Sequence, residues 1–171
     1  MKNLILFLCQ KQYLALIIFL IYANSQIAQT EIDTASTHTF WLNLGGGTGR
    51  FERAYSVNFS YQYKNYILSL RHADTSEGPF FGGEALWDTA VLFGMAATPA
   101  KTFYSLAAGI SKVSGNVGVK SIEDVIGVAF EAQLFVRPVT FAGIGIYIFA
   151  NINSEESFGG ATLCLQLGLL R

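Results

Sequence analysis

The chain has 171 residues, the size of one domain. Charged residues are 13% of it, about half the share in an ordinary soluble domain, whereas apolar residues make 51% and aromatics 14%. That aromatic content, with 3 prolines, excludes a disordered or collagen-like chain, and a formal net charge of −1 offers no basic field for nucleic acid.

Residues 1–25 have the order of an export signal. Lys2 and Lys11 supply positive charge, and the unbroken apolar run 13–23 falls short of the roughly 20 residues a spanning helix requires. Ala23-Asn24-Ser25 places small residues ahead of a cleavage point at Gln26, with a second candidate after Ala28. Leu6-Phe7-Leu8-Cys9 has the look of a lipoprotein box, but the longest apolar run follows the cysteine instead of preceding it. Cleavage removes Cys9 and leaves Cys164 alone, so neither a disulfide framework nor a thiolate metal site can be drawn. The expected organisation is a signal peptide over 1–25, a short periplasmic segment over 26–35, and one domain over 36–171.

In that domain the apolar pattern has period 2. Phe40, Leu42 and Leu44 alternate with Trp41, Asn43 and Gly45. Residues 55–63, YSVNFSYQY, put Tyr55, Val57, Phe59, Tyr61 and Tyr63 on one face and Ser56, Asn58, Ser60 and Gln62 on the other. After Lys64-Asn65, the stripe Tyr66, Leu68, Leu70 stands opposite Ser69 and Arg71. Residues 87–97 set Trp87, Val91, Phe93 and Met95 against Asp88, Gly94 and Ala96, and residues 102–111 set Tyr104, Leu106 and Ile110 against Ser105, Gly109 and Ser111. Residues 126–137 oppose Ile126, Val128, Phe130, Leu134 and Val136 to Gly127, Glu131, Gln133 and Arg137. Residues 140–151 oppose Ile144, Ile146 and Ile148 to Gly143, Gly145, Tyr147 and Asn151, and the last segment runs Leu163, Leu165, Leu167, Leu169 against Thr162, Cys164 and Gln166. The pattern predicts eight strands. Connections at 64–65, 98–101 and 137–138 are short; those at 46–53, 73–86, 112–124 and 152–157 are longer and more polar.

This asymmetry, with strands long enough to cross a bilayer when tilted, predicts an all-β fold: an eight-stranded antiparallel up-and-down transmembrane barrel. Eight strands leave a lumen just wide enough for side chains to fill, which suits the small and polar stripe, whereas the bulky stripe suits lipid. Tyr55, Tyr63, Tyr66, Trp87 and Tyr104 lie towards strand ends, where an interfacial aromatic girdle belongs. Closure also pairs every strand edge, as lipid demands.

Arg71, Asp88, Glu131, Gln133, Arg137 and Gln166 take inward parity, and buried charges require partners. The expectation is a polar network inside the barrel, with Arg71 paired to Glu131 or to Asp88. Phe135, Phe141, Tyr147 and Phe149 are expected to point inward and fill the lumen. His72 and Ser76, with Asp74 and Glu77, combine residue types found in hydrolases, yet spacing in a loop fixes no geometry, and they are weak catalytic candidates. Gly45-Gly46-Gly47-Thr48-Gly49-Arg50 lacks the ending of a phosphate loop and reads as a hairpin loop. Phe80 and Phe81, in the longest loop, are candidate contact residues. His38 stands alone at the periplasmic entrance and needs no ligand. Neither a metal nor a cofactor is implied.

The signal peptide, the eight alternating segments, the short inner turns and the Gly-rich final strand resemble the small outer-membrane β-barrel proteins of Gram-negative bacteria, over residues 36–171. The segment from Gln26 and the frequent aromatics are similar to barrels of the Bacteroidetes type. The ending Leu167-Gly168-Leu169-Leu170-Arg171 departs from the family, whose members commonly end in an aromatic. The resemblance implies location in the outer membrane, with lipid and the barrel-assembly machinery as partners. It further implies a structural, loop-display or binding role towards an extracellular ligand or protein. Passage or binding of a small apolar ligand and a lipid-modifying enzyme centred on His72 and Ser76 remain the alternatives.

Overall fold

A computed structural model describes residues 38–77, 83–99 and 101–170. The export signal, the 26–35 segment, Phe80 and Phe81 lie outside the described residues.

The described residues form eight strands: β1 (His38–Gly49), β2 (Arg53–Tyr63), β3 (Tyr66–Ser76), β4 (Ala85–Ala97), β5 (Thr102–Val117), β6 (Lys120–Val136), β7 (Ala142–Asn153) and β8 (Phe158–Leu169). Each strand pairs antiparallel with its sequence neighbour, and β1 pairs with β8 from Phe40↔Leu169 to Gly49↔Gly160, so the sheet closes into an up-and-down barrel. The period-2 pattern explains the register. A slip of one residue would send the stripe Tyr55 to Tyr63 inward and Ser56 to Gln62 outward. The burial of β2 alternates without a break, with Ala54, Ser56, Asn58 and Ser60 buried and Tyr55, Val57, Phe59 and Tyr61 exposed.

The lumen is layered. At the short-turn end, Trp41 meets Phe103 edge-on with ring centres 4.9 Å apart, and Phe103 lies 6.5 Å from Phe135. Polar side chains fill the middle. Towards the other end Phe149 packs edge-on against Phe158 at 6.4 Å. The outer wall is apolar around the whole circumference, with Phe93 60% and Ile110 71% exposed.

The ladders outrun the expected strands at the long-loop end. The glycine-rich stretch expected as a hairpin loop continues β1, with Gly46 opposite Tyr55 and Leu163, because partner strands on both sides capture its backbone. The segment 73–76 likewise completes β3, in register with Ala85 to Asp88. Residues 112–124, expected as a loop, form a hairpin turning at Gly118 (φ 59) and Val119. Its polar composition reflects an exposed outer face carrying Lys112, Lys120, Glu123 and Asp124, while Val113 and Ile122 remain buried inside. Within it Ser114 stands opposite Glu123 and Asp124, a bulge in which Asp124 takes a left-handed φ of 58 and its backbone N–H donates to Ser114 Oγ at 3.2 Å. Phe141 also departs from expectation. It belongs to the connection between β6 and β7, which runs to residue 141, and it is 65% exposed instead of filling the lumen.

Small residues set how closely the wall packs. An added Cβ at Gly109 would sit on the carbonyl of Val91 and 2.7 Å from Leu92 Cα, backbone that cannot yield without opening the β4–β5 ladder. Gly109→Val is therefore expected to lower unfolding stability by about 2 kcal/mol or more, read as a reduced urea midpoint in detergent micelles. An unchanged midpoint would contradict the packing described.

Candidate functional site in the barrel lumen

Among the described residues, two hydrogen-bonded clusters built on charged side chains and one cation without a carboxylate partner lie in the lumen. The first cluster centres on Glu131 of β6. Its Oε1 accepts from Ser69 Oγ at 2.7 Å and Gln133 Nε2 at 3.0 Å, and its Oε2 accepts from Tyr147 Oη at 2.5 Å and Asn58 Nδ2 at 3.1 Å. Four donors from β2, β3, β6 and β7 thus converge on one carboxylate. The cluster reaches β1 through Asn43, whose Nδ2 donates to Gln133 Oε1 at 3.0 Å and Asn58 Oδ1 at 3.3 Å. Ser60 Oγ donates to Asn58 Oδ1 at 2.5 Å.

The second cluster is an ion pair. Arg71 Nε and Nη2 donate to Asp88 Oδ1 at 3.2 Å and Oδ2 at 2.5 Å, a bidentate contact with both side chains fully buried. Register explains how two long charged side chains fit. Arg71 stands opposite Ala90, and Asp88 opposite Ala73, so each reaches its diagonal neighbour over an alanine. Arg71 Nη1 donates to the Phe130 carbonyl at 2.8 Å, and the guanidinium carbon lies 5.6 Å from the centre of the Phe149 ring. Asp88 Oδ2 also accepts from Asn151 Nδ2 at 2.7 Å, which donates to Ser111 Oγ at 2.6 Å. Of the two partners expected for Arg71, the ladder thus gives it Asp88, while Glu131 is satisfied by neutral donors.

Arg137, just past the end of β6, is different. Its Nε donates to Gln166 Oε1 at 2.7 Å, and its guanidinium carbon lies 4.0 Å from the centre of the Phe103 ring and 5.0 Å from that of Trp41.

The remaining candidates do not converge. His72 is on the outer wall, where Nδ1 shares a hydrogen bond with Thr89 Oγ1 at 3.1 Å. Ser76 lies four residues further along the same strand, about 13 Å away at the usual rise, so the extended backbone of β3 keeps the two apart. Asp74 also sits on β3, and Glu77 immediately follows it. Cys164 is buried, with Sγ 3.2 Å from Thr162 Oγ1 and 3.6 Å from Ser56 Oγ. His38 hydrogen-bonds Tyr61 Oη at 2.5 Å and stacks on Tyr63 on the outer wall. Among the described residues no group of three or more His, Cys, Asp or Glu side chains could hold a metal ion.

Asn43, Asn58, Ser60, Ser69, Ser111, Tyr147 and Asn151 belong to the network although charge alone did not single them out. Their signal was parity: every one falls on the face opposite the apolar stripe.

A closed up-and-down barrel of eight antiparallel strands, apolar outside and filled with polar side chains inside, has the architecture of the small outer-membrane barrels. The N-terminal β-barrel domain of OprF from Pseudomonas aeruginosa aligns with a TM-score of 0.57 at 12% identity, over 78% of this chain and 99% of that one. Ail of Yersinia pestis in a phospholipid nanodisc aligns at 0.53 and 13% identity, over 77% of this chain and 99% of its own. Neisserial surface protein A aligns at 0.53 and 9% identity, over 81% of this chain and 100% of its own. No protein-family model matches the chain, and no curated protein matches it in sequence. At these identities the likeness is one of fold.

Removing one member of the buried pair strands the other. Asp88→Ala is expected to cost about 3–5 kcal/mol in unfolding free energy, and Asp88→Ala combined with Arg71→Met to recover most of it. A double variant as unstable as the single one would show that the pair is not the seat of the effect.

Proposed function

We propose that the protein is an integral outer-membrane barrel with a non-catalytic display or binding role, exported on a cleaved signal and inserted with its short turns towards the periplasm. The observation that carries this reading is the inverted distribution of polarity. Leu68, Leu70, Val91, Phe93, Ile144 and Leu163 stand on the exposed wall, while Arg71, Asp88 and Glu131 are buried within it. An apolar belt of this extent is an aggregation hazard in water and the natural complement of lipid. Tyr63 and Tyr66 near one rim, and Tyr55 and Trp87 nearer the other, are exposed as interfacial aromatics should be.

In this reading the barrel is a rigid mount. Trp41, Phe103 and Phe135 obstruct one end of the lumen, and the ladders continue around the wall through β1 and β8, which argues against a route for solutes through the centre or between strands. The contact surface is then the long-loop end: the connection between β3 and β4, to which Phe80 and Phe81 belong in sequence, and the 112–124 hairpin. Charged side chains couple its parts. Arg50 pairs with Glu156 at 2.7 Å, and Lys120 with Glu155 at 2.6 Å, joining the β1–β2 turn and the β5–β6 hairpin to the β7–β8 connection. Each exposed pair contributes little alone, but together they present the three connections as one surface. An extracellular ligand or protein is the proposed partner.

The reading is tested on separated inner- and outer-membrane fractions, by gel electrophoresis of boiled against unboiled samples. The expected result is a band in the outer-membrane fraction that changes mobility on boiling, at a mass lacking residues 1–25, with no single-channel conductance after reconstitution into planar bilayers. A soluble periplasmic protein would overturn the membrane assignment, and steady conductance would overturn the sealed lumen.

A further inference from the structure

We propose that the short-turn end of the lumen holds a small monovalent anion, a halide or a carboxylate, bound by Arg137 with Trp41 and Gln166. The observation is a surplus of buried donors. Arg137 Nη1 and Nη2, Trp41 Nε1 and Gln166 Nε2 are all buried and make no hydrogen bond in the structure. They belong to side chains in mutual contact, since Arg137 Nε donates to Gln166 and the guanidinium lies against the Trp41 ring. Arg137 is only 6% exposed, and Trp41 and Gln166 are fully buried.

The sign of the ligand follows from the chemistry of these groups. Three further buried side-chain oxygens lack a partner among the described residues: Asn43 Oδ1, in register with Gln166, and the hydroxyls Thr75 Oγ1 and Ser105 Oγ, which can donate as well as accept. The guanidinium and indole N–H groups, by contrast, are donors only. Charge points the same way. Arg71 is neutralised by Asp88, whereas among the described residues no carboxylate pairs with Arg137. Glu131, on β6, lies six residues before Arg137, about 20 Å along the backbone at the usual rise, and its own oxygens already accept four hydrogen bonds. A buried cation without a counter-charge is costly, and an unsatisfied charged donor set is where an ion is expected. One positive charge against the Phe103 and Trp41 rings is best matched by one negative charge, and the free Nη1 and Nη2 edge suits a halide or the two oxygens of a carboxylate.

Trp41 makes the site its own reporter. The chain holds two tryptophans, so in a Trp87→Phe protein folded in micelles all tryptophan emission comes from Trp41, whose ring is closed to collisional quenchers. Bromide is titrated at constant ionic strength. The expected result is saturable quenching, competed by chloride if the natural occupant is a halide and by formate if it is a carboxylate. At least a tenfold loss of apparent affinity is expected in Arg137→Met, which keeps the packing against Phe103, and in Gln166→Glu, which supplies a carboxylate beside Arg137. Folding of each variant is verified by its heat-modified band, and Gln166→Glu carries the test should Arg137→Met not fold. Absent or non-saturating quenching, or affinity unchanged in a folded variant, would overturn the proposal.

Discussion

Closure of the ladder between β1 and β8 is the constraint on which the rest of this structure depends. With the sheet closed, the strands that would otherwise form its edges satisfy one another. Eight strands also fix a narrow lumen, so inward positions must alternate between small residues and groups that bond to one another. The alanines opposite Arg71 and Asp88 and the glycine opposite Leu92 are the local expression of that limit. Outward positions carry no such restriction, and they take the bulky Phe, Leu and Ile side chains that a water-soluble barrel would keep inside.

The interior carries charge because a narrow polar lumen can satisfy it. Glu131 collects donors from several strands, and Arg71 and Asp88 tie β3 to β4 and, through Asn151, to β7. Such contacts act across the barrel, whereas the ladders act only around it. They resist flattening of the cylinder and make the wall a firm base for the connections above it. Arg137 breaks the pattern by holding its charge against two aromatic rings with a neutral amide as its one bonded acceptor. Its setting differs from that of Arg71 in the one respect that matters electrostatically, the absence of an adjoining carboxylate among the described residues.

Side-chain parity was legible along the apolar stretches of the strands because alternation is a local property. Tyr55 to Tyr63, and Leu163 to Leu167, announce their outer face without knowledge of any partner. Pairing was not legible, since it depends on register between strands. Whether Arg71 would meet Asp88 or Glu131 turned on Asp88 standing opposite Ala73, which only the folded ladder decides. Strand ends were hidden for another reason. Beyond the apolar belt the outer face of a strand turns polar while Val113 and Ile122 stay buried on the inner one, so Lys112 and Asp124 look like loop residues although they lie in a ladder. The glycines at 45–49 lack side chains to pattern, and Phe141 obeys a parity that ends when β6 gives way to its turn. The asparagines and serines of the lumen carry no charge that demands a partner, so parity alone marked their face and only the folded ladder shows which of them bond.

The inverted barrel is tested most directly by asking what solvent touches each face. Spin labels placed one at a time at Leu68, Phe93 and Ile146, in a Cys164→Ser background reconstituted in bilayers, would be exposed in turn to molecular oxygen and to a water-soluble nickel chelate. The account predicts high collision rates with oxygen and low rates with nickel at all three sites. Dominant collision with the nickel chelate would place these side chains in water and contradict a lipid-facing wall.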